Sequence, residues 1–221
     1  HVYDQACAEH VFSFMLAQAR AMPAALASHA ANGSPEWLGL RESCHLLQGQ
    51  SVLIFGYGAI AACLVKMLAA FDMEIVAVRR SPQGDEGITV ITPEQALEAL
   101  GEADHVINIL PENPASRNYF DAEKFAAMTL GAIFYNIGRG ATVAQQDLAD
   151  ALASGHLGAA WLDVTDPEPL PIDHVLRGIR NCHITPHIAG GQRGETRVLL
   201  NHFVKNFRRY LEKQSLANRI M

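Results

Sequence analysis

The residues of this 221-residue chain best suited to chemistry lie in short stretches between apolar runs. The first stretch is Gly56-Tyr57-Gly58-Ala59-Ile60-Ala61, directly after one such run. In a loop of this kind the first glycine makes a tight turn and the second lets a pyrophosphate approach the backbone. The third small residue lets the following helix pack on the sheet. Free N–H groups and the positive dipole end of that helix then favour phosphate. Between a strand and a helix, the pattern predicts a bound dinucleotide. An acid about 20 positions further on would suit a free ribose 2′-hydroxyl. This chain has Arg79-Arg80-Ser81 there, with Asp85 and Glu86 the nearest acids beyond. Two guanidiniums and a hydroxyl match a 2′-phosphate by charge and fork geometry, which favours NADP over NAD. The plainer alternative is an exposed basic turn.

A third group of candidates sits where later apolar runs end. Leu110-Pro111 closes one run, and Asn136-Ile137-Gly138-Arg139-Gly140 closes the next. Leu162-Asp163-Val164 leads on to Glu168-Pro169, and Thr185-Pro186-His187 follows the last. Open α/β sheets bind ligands at the carboxyl ends of their strands, so these positions converge if the runs are parallel strands. Taken singly, each has a structural reading: an Arg between glycines serves turns, and a His after Pro is often structural. His183 and His187 are four apart, but Pro186 and the strand pattern keep them off a helix, so no metal site is expected.

The elements that must position these residues follow from periodicity. Ala8 to Arg20 reads as an amphipathic helix with Ala8, Val11, Phe12, Met15 and Ala19 on its apolar face, and its apolarity predicts burial against another surface. Pro23 follows it, and Ala31 to Gly39, with Gly33 and Pro35, reads as loop. Ser51–Phe55 is a short apolar run ending in glycine, the mark of a strand buried on both faces. Ile60 to Phe71 is a helix pattern. Further strands are expected at Glu74–Val78, near Ile88–Ile91, and at His105–Leu110, Ala132–Asn136, Ala159–Asp163 and Cys182–Thr185. Thr92-Pro93-Glu94-Gln95 carries a capping pattern, a helix is expected from about Asp121, and Thr142 with Gln145 is read as another helix start. From about Gly194, Leu200, Phe203, Val204, Phe207 and Leu211 mark a long amphipathic helix, with Lys205, Arg208 and Arg209 on its solvated face. Alternating strands and helices predict an α/β fold, a Rossmann-type doubly wound parallel sheet.

In order along the chain, Ala8-Glu9-His10, the Gly56 loop, Ala103-Asp104, Asn136 to Gly140, Leu162 to Pro169 and His187 to Gly191 resemble the D-isomer-specific 2-hydroxyacid dehydrogenases. The resemblance implies that Arg139 binds substrate, that Glu168 partners the histidine, and that His187 donates the proton. It also implies that Asp163 contacts the nicotinamide end of the cofactor. The implied cofactor-binding set is Gly56, Tyr57, Gly58, Ala59, Ile60, Arg79, Arg80, Ser81, Leu110, Pro111, Ile137, Gly138, Arg139, Asp163 and His187. The chemistry fits these residue types. Reducing a 2-keto acid needs a hydride source, a cation for the carboxylate and a proton for the developing alkoxide. Arginine offers a bidentate match to the carboxylate, and histidine exchanges protons near neutral pH.

The resemblance further implies a glyoxylate or hydroxypyruvate reductase, a small 2-keto or 2-hydroxy acid as substrate, and a homodimer. A phosphoglycerate dehydrogenase-like enzyme and a non-catalytic dinucleotide-sensing regulator are the alternatives, while Glu168 in place of a glutamine disfavours a formate dehydrogenase. Residues 5–190 are expected to form the NAD(P)-binding domain. Residues 191–221 are expected to form the C-terminal helix of a substrate domain whose N-terminal part is absent. The opening His1, with neither initiator Met nor signal peptide, predicts a start partway through a larger protein.

Composition narrows the remaining classes. With 49% apolar and 18% charged residues, the chain has enough apolar content to form a core. Seventeen Lys and Arg against 23 Asp and Glu give a net charge of −6, without the basic excess of a nucleic-acid protein. Cys7, Cys44, Cys63 and Cys182 form no close pair, which predicts a reduced, cytoplasmic compartment. Leu46 to Val65 carries no charge, but Gln48, Gly49, Gln50, Ser51, Gly56 and Gly58 interrupt it. A spanning helix needs roughly 20 predominantly apolar residues, so no membrane segment is expected.

Overall fold

The computed structural model describes residues 2–30 and 37–218. Its centre is a seven-stranded sheet of β1 (Ser51–Phe55), β2 (Glu74–Val78), β3 (Thr89–Ile91), β4 (His105–Asn108), β5 (Ile133–Asn136), β6 (Ala159–Leu162) and β7 (Cys182–Ile184). The strand order is β3-β2-β1-β4-β5-β6-β7, and every pairing is parallel. The chain winds outward from β1 to one edge, then returns to build the other half from β4. This is the doubly wound arrangement, with its reversal point between β1 and β4.

Unbroken apolar strands arise because both faces of the sheet are covered, and side chains alternate between them. Val52, Ile54, Ile107, Tyr135 and Trp161 point into one core layer. Leu53, Phe55, Val106, Phe134, Ala160 and Leu162 point into the other. The first layer is closed by α1 (Asp4–Ala19) and α4 (Ala59–Leu68), the second by α5 (Ala96–Leu100), α6 (Ala122–Ala127) and α7 (Gln145–Ala153). Each fully buried Leu, Ile or Phe contributes roughly 1.5–3 kcal/mol of transfer free energy.

Several helix boundaries differ from those read in the sequence. The buried face of α1 is Cys7, Ala8, Val11, Phe14, Met15 and Ala19. Phe12 is only half-buried and meets the Phe71 ring edge-on at 5.1 Å. Phe14 lies 4.9 Å from Trp161, whose indole N–H donates to Gln18. The surface that buries α1 is thus the chain's own, formed by helix α4 and by the sheet at Trp161. Pro23 occupies the first turn of α2 (Met22–Ala30), where its missing N–H costs nothing. Of the expected loop from Ala31 to Gly39, residues 31–36 lie outside the described residues. Trp37–Gly39 instead open α3 (Trp37–Glu42), despite the poor helix propensity of Gly39.

Thr142 is not a helix cap. It ends a 3-10 turn (Gly140–Thr142), and α7 begins three residues later, because the Thr142 hydroxyl is bonded inside the molecule to Arg139 O. Thr92 and Gln95 do form the expected capping box, ahead of the 3-10 turn Pro93–Gln95. The last helix, α8 (Glu195–Leu211), starts after Gly194 as expected and has no buried residue. Among the described residues no helix is long and apolar enough to cross a membrane.

One buried titratable group sits in the core layer beneath α1. His105 is 1% exposed, with Nδ1 3.0 Å from the Tyr135 hydroxyl and Nε2 2.9 Å from Gln50 Oε1. Burial pushes its imidazole down to about 4, so the folded protein holds it neutral. The unfolded chain takes up this proton first on acidification. Stability linked to His105 is therefore full above pH 6.5 and is lost as pH falls towards about 4. Urea unfolding of the parent against His105→Gln is expected to show that loss, on the order of 3 kcal/mol, only in the parent. Parallel pH profiles for the two proteins would contradict it.

Candidate active site

All seven strands run the same way, so their carboxyl ends share one edge of the sheet. Every stretch singled out in the sequence except Ala8-Glu9-His10 and Ala103-Asp104 emerges at that edge. At the reversal point, Gly56 adopts φ +99°, and a Cβ there would meet Ile109 O at 3.3 Å. Only glycine suits this position. Gly58 is extended and precedes α4, and a Cβ on it would meet nothing within 4 Å. Ala61 is completely buried, where a larger side chain would lift α4 off the sheet. Gly56, Tyr57, Gly58, Ala59, Ile60, Ile109 and Pro111 line a cleft of about 340 Å³ at the start of this helix. Leu110 packs under the Gly56 turn. The turn, the open approach over Gly58 and the free N-terminus of α4 fit a dinucleotide pyrophosphate.

Arg79 follows the last residue of β2, and Val78 O accepts from Gly56 N, so Arg79 lies beside the glycine loop. Its Nη1 is 3.1 Å from Glu86 Oε1. The Tyr57 hydroxyl donates to Glu86 O at 2.9 Å and joins the glycine loop to the same turn. Arg80 and Ser81 are exposed.

The next part of the site rests on two buried asparagines. Asn108 and Asn136 are register partners at the ends of β4 and β5. Asn108 Nδ2 donates to Asn136 Oδ1 at 3.0 Å and to Thr142 Oγ1 at 2.7 Å, while its Oδ1 accepts from Leu110 N. Asn136 Oδ1 accepts from Gly138 N, and its Nδ2 donates to Arg139 O. The Ile137–Gly140 backbone is thereby fixed from below, and the Arg139 side chain faces outward, with Nη1 donating to Gly138 O at 2.6 Å. Gly138 and Gly140 pack without space for a side chain. A Cβ at Gly138 would lie 2.6 Å from Leu110 O, and at Gly140 2.0 Å from Thr165 C and O. Ile137 is buried in the core layer below.

Asp163 is 1% exposed and organises the opposite wall. Its Oδ1 accepts from Thr185 Oγ1 at 2.5 Å and Ile188 N at 2.9 Å, and lies 3.4 Å from His10 Nε2. Its Oδ2 accepts from Ala189 N at 2.8 Å. Burial would raise its pKa, but these hydrogen bonds outweigh burial and hold it down to about 2. The carboxylate therefore stays ionised and ties β6, β7 and α1 to the turn that carries His187. That turn places His187 at φ +53°, with its N–H donating to Asp163 O and Thr185 O. His187 Nδ1 lies 2.7 Å from Glu168 Oε2, and Glu168 Oε1 accepts from Thr165 N.

Arg139, Glu168 and His187 line one cavity of about 240 Å³, together with Glu112, Arg117 and Asp166. The three residues expected to share a site are therefore brought to one place, beside the nucleotide cleft. His183 is not with them; its ring packs at a tilt of 38° against Trp161, with centroids 4.2 Å apart. Sequence reasoning misses Asn108, Thr142 and His10 as supports. A signal was present for Asn108 and Asn136: two asparagines, each directly after an apolar or aromatic pair, ending neighbouring strands.

Residues 12–189 match the D-isomer specific 2-hydroxyacid dehydrogenase family, NAD binding domain. A glyoxylate reductase/hydroxypyruvate reductase of Homo sapiens is 34% identical over 193 residues, covering 85% of this chain and 58% of that protein. The phosphoglycerate dehydrogenase of Lactobacillus plantarum is 30% identical with a TM-score of 0.82, over 100% of this chain and 71% of that one. An NADPH-dependent glyoxylate/hydroxypyruvate reductase from Sinorhizobium meliloti, solved with NADP and sulfate, is 26% identical with a TM-score of 0.87, over 99% and 69%. The chain spans 56–62% of the length of the first relatives it matches.

The contact of Gly140 with the Thr165 backbone couples the arginine loop to the glutamate loop. Gly140→Ala is expected to destabilise the protein by more than about 2 kcal/mol, because backbone cannot yield as a flexible side chain does. Gly178→Ala, with nothing within 4 Å of its Cβ, is expected to change stability by less than about 1 kcal/mol. Equal denaturant midpoints for the two variants would refute the coupling.

Proposed function

Because the chain belongs to the D-isomer specific 2-hydroxyacid dehydrogenase family, we propose that it is the cofactor-binding part of an oxidoreductase acting on a small 2-keto or 2-hydroxy acid. The observation that carries this reading is the His187–Glu168 contact of 2.7 Å in one cavity with Arg139, beside the glycine-loop cleft. The dinucleotide would lie along Gly56 to Ile60, Leu110, Pro111, Ile137 and Gly138, reaching Arg79, Arg80 and Ser81 with its adenosine ribose. When bound, the nicotinamide supplies or accepts the hydride.

The chain's own residues do the rest. Arg139 binds the substrate carboxylate, and its charge stabilises the oxygen next to it as negative charge develops there. Glu168 fixes Nδ1 of His187, which leaves Nε2 to give a proton to the keto oxygen or take it from the hydroxyl. Asp163 acts mainly by holding the Thr185–Ala189 segment, since its two oxygens already accept from three donors and lie beside His10. Any contact it makes with the nicotinamide would be additional to that task.

Glyoxylate or hydroxypyruvate is the substrate we favour, with NADPH as the preferred cofactor. The names of the human and Sinorhizobium relatives support the first, and Arg79-Arg80-Ser81 supports the second. A phosphoglycerate dehydrogenase-like enzyme is the runner-up, on the Lactobacillus likeness. We assign residues 5–190 to the NAD(P)-binding domain and 191–221 to the substrate domain. The exposed apolar face of α8, with Leu200, Phe203, Phe207 and Leu211 each more than half exposed, supports that division. We also read the protein as a cytoplasmic homodimer. A groove of about 1150 Å³ bordered by α1, α2 and α3, with Met22, Leu26, Trp37 and Leu38 exposed on α2 and α3, supports the dimer.

The test is steady-state turnover of the full-length protein with NADPH and a panel of 2-keto acids. Reduction of glyoxylate or hydroxypyruvate is expected, with kcat falling by about 10²-fold or more in His187→Gln while cofactor affinity is retained. Tight cofactor binding with no turnover of any keto acid would overturn the enzyme reading in favour of a dinucleotide sensor.

A further inference from the structure

Next to the nucleotide cleft, joined to it through the Tyr57 hydroxyl, lies an acid that the proposed chemistry does not use. Glu86 lies in the turn between β2 and β3, yet its side chain is only 3% exposed. Its Oε1 accepts from Gln83 N at 2.7 Å and from Arg79 Nη1 at 3.1 Å, and its Oε2 accepts from Gly84 N at 2.7 Å. The backbone of the same residue is held by the Tyr57 hydroxyl. The donors, led by Gln83 N–H, keep the Glu86 carboxyl below the usual carboxylate range, so it is an anion at neutral pH. An ionised carboxylate is thus seated where the glycine loop meets the end of β2.

The groups around that carboxylate form a recognisable set. One guanidinium N–H and two successive backbone N–H groups converge on it, as they do on bound phosphate. The end of the second strand is also where this fold presents the ribose 2′ position. A 2′-phosphate carries about two negative charges and seeks the same kind of donors. NADH has no such group and leaves the carboxylate undisturbed.

We propose that Glu86 is a specificity-determining residue of the cofactor site: its carboxylate holds the anion position made by Arg79, Gln83 and Gly84 and competes there with the 2′-phosphate of NADP(H). The inference rests on the cofactor reading above and deepens it. NADPH must either displace Glu86 or share Arg79 with it across a like-charge contact. Arg80 and Ser81, both exposed, remain as donors to the phosphate. The gap between the two cofactors is then narrower than two adjacent arginines alone would make it.

Dissociation constants of NADPH, NADH and 2′,5′-ADP for the full-length protein test this, in the parent, Glu86→Gln, Arg79→Ala and the double variant. Glutamine keeps an acceptor for the backbone donors and removes the charge. Glu86→Gln is expected to tighten NADPH and 2′,5′-ADP about tenfold and to change NADH less than about twofold. The gain is expected to vanish when Arg79 is also alanine. An unchanged NADPH-to-NADH ratio overturns the proposal, whether both affinities hold or both fall. Weaker NADPH with unchanged NADH also overturns it, since Glu86 would then only orient Arg79. A parent that binds neither cofactor refutes the cofactor reading, and the role of Glu86 falls with it.

Discussion

A parallel sheet delivers every strand's carboxyl end to one edge, and there the chain must leave without a further ladder to satisfy its backbone N–H groups. This constraint organises the molecule. At the ends of β4 and β5 an asparagine supplies the missing acceptor to its own chain, and Asp163 after β6 supplies it across to the segment beyond β7. Asn108 caps Leu110 N, Asn136 caps Gly138 N, and Asp163 caps Ile188 N and Ala189 N. Each cap fixes a short backbone segment at this edge, and each segment adjoins part of the proposed site.

The caps differ in charge because their tasks differ. The asparagines bond to each other and to Thr142, so a neutral pair that both donates and accepts is required. Asp163 receives donors only, which suits a carboxylate. It also joins segments distant in sequence, reaching α1 through His10 and β7 through Thr185. The left-handed backbone at His187 is tolerated because Asp163 holds it from both main chain and side chain. Rigid supporting contacts of this kind hold the His187 imidazole to the narrow tolerance that the proposed proton transfer needs.

Much of this was legible in the sequence, and the rest was hidden for a definite reason. β1 and β2 lie where apolar runs bounded by glycine and charge put them, and Gly56, Gly58 and Ala61 occupy their expected places because loop sterics leave little choice. Arg139, Glu168 and His187 could be paired only through resemblance, since 48 residues separate the first from the last. What periodicity cannot reveal is a side chain's partner across the fold. Thr142 looked like a helix cap because its hydroxyl's buried acceptor, Arg139 O, depends on the folded turn. Arg79 looked free for a phosphate because Glu86 returns to it only after the turn closes. Helices α2 and α3 were obscured by Pro23 and Gly39, residues whose average preference differs from their use here.

In the proposed function, this edge assembles a carboxylate-binding arginine and a glutamate-held proton donor around one small 2-keto acid. The most direct measurement is a crystal structure of the full-length protein with NADP and oxamate, an unreactive 2-keto acid mimic. The oxamate carboxylate is expected on the Arg139 guanidinium and its amide carbonyl oxygen at about 3 Å from His187 Nε2, with Nδ1 still on Glu168. Oxamate bound away from Arg139, or a His187 ring turned from Glu168 towards solvent, would contradict the proposed function.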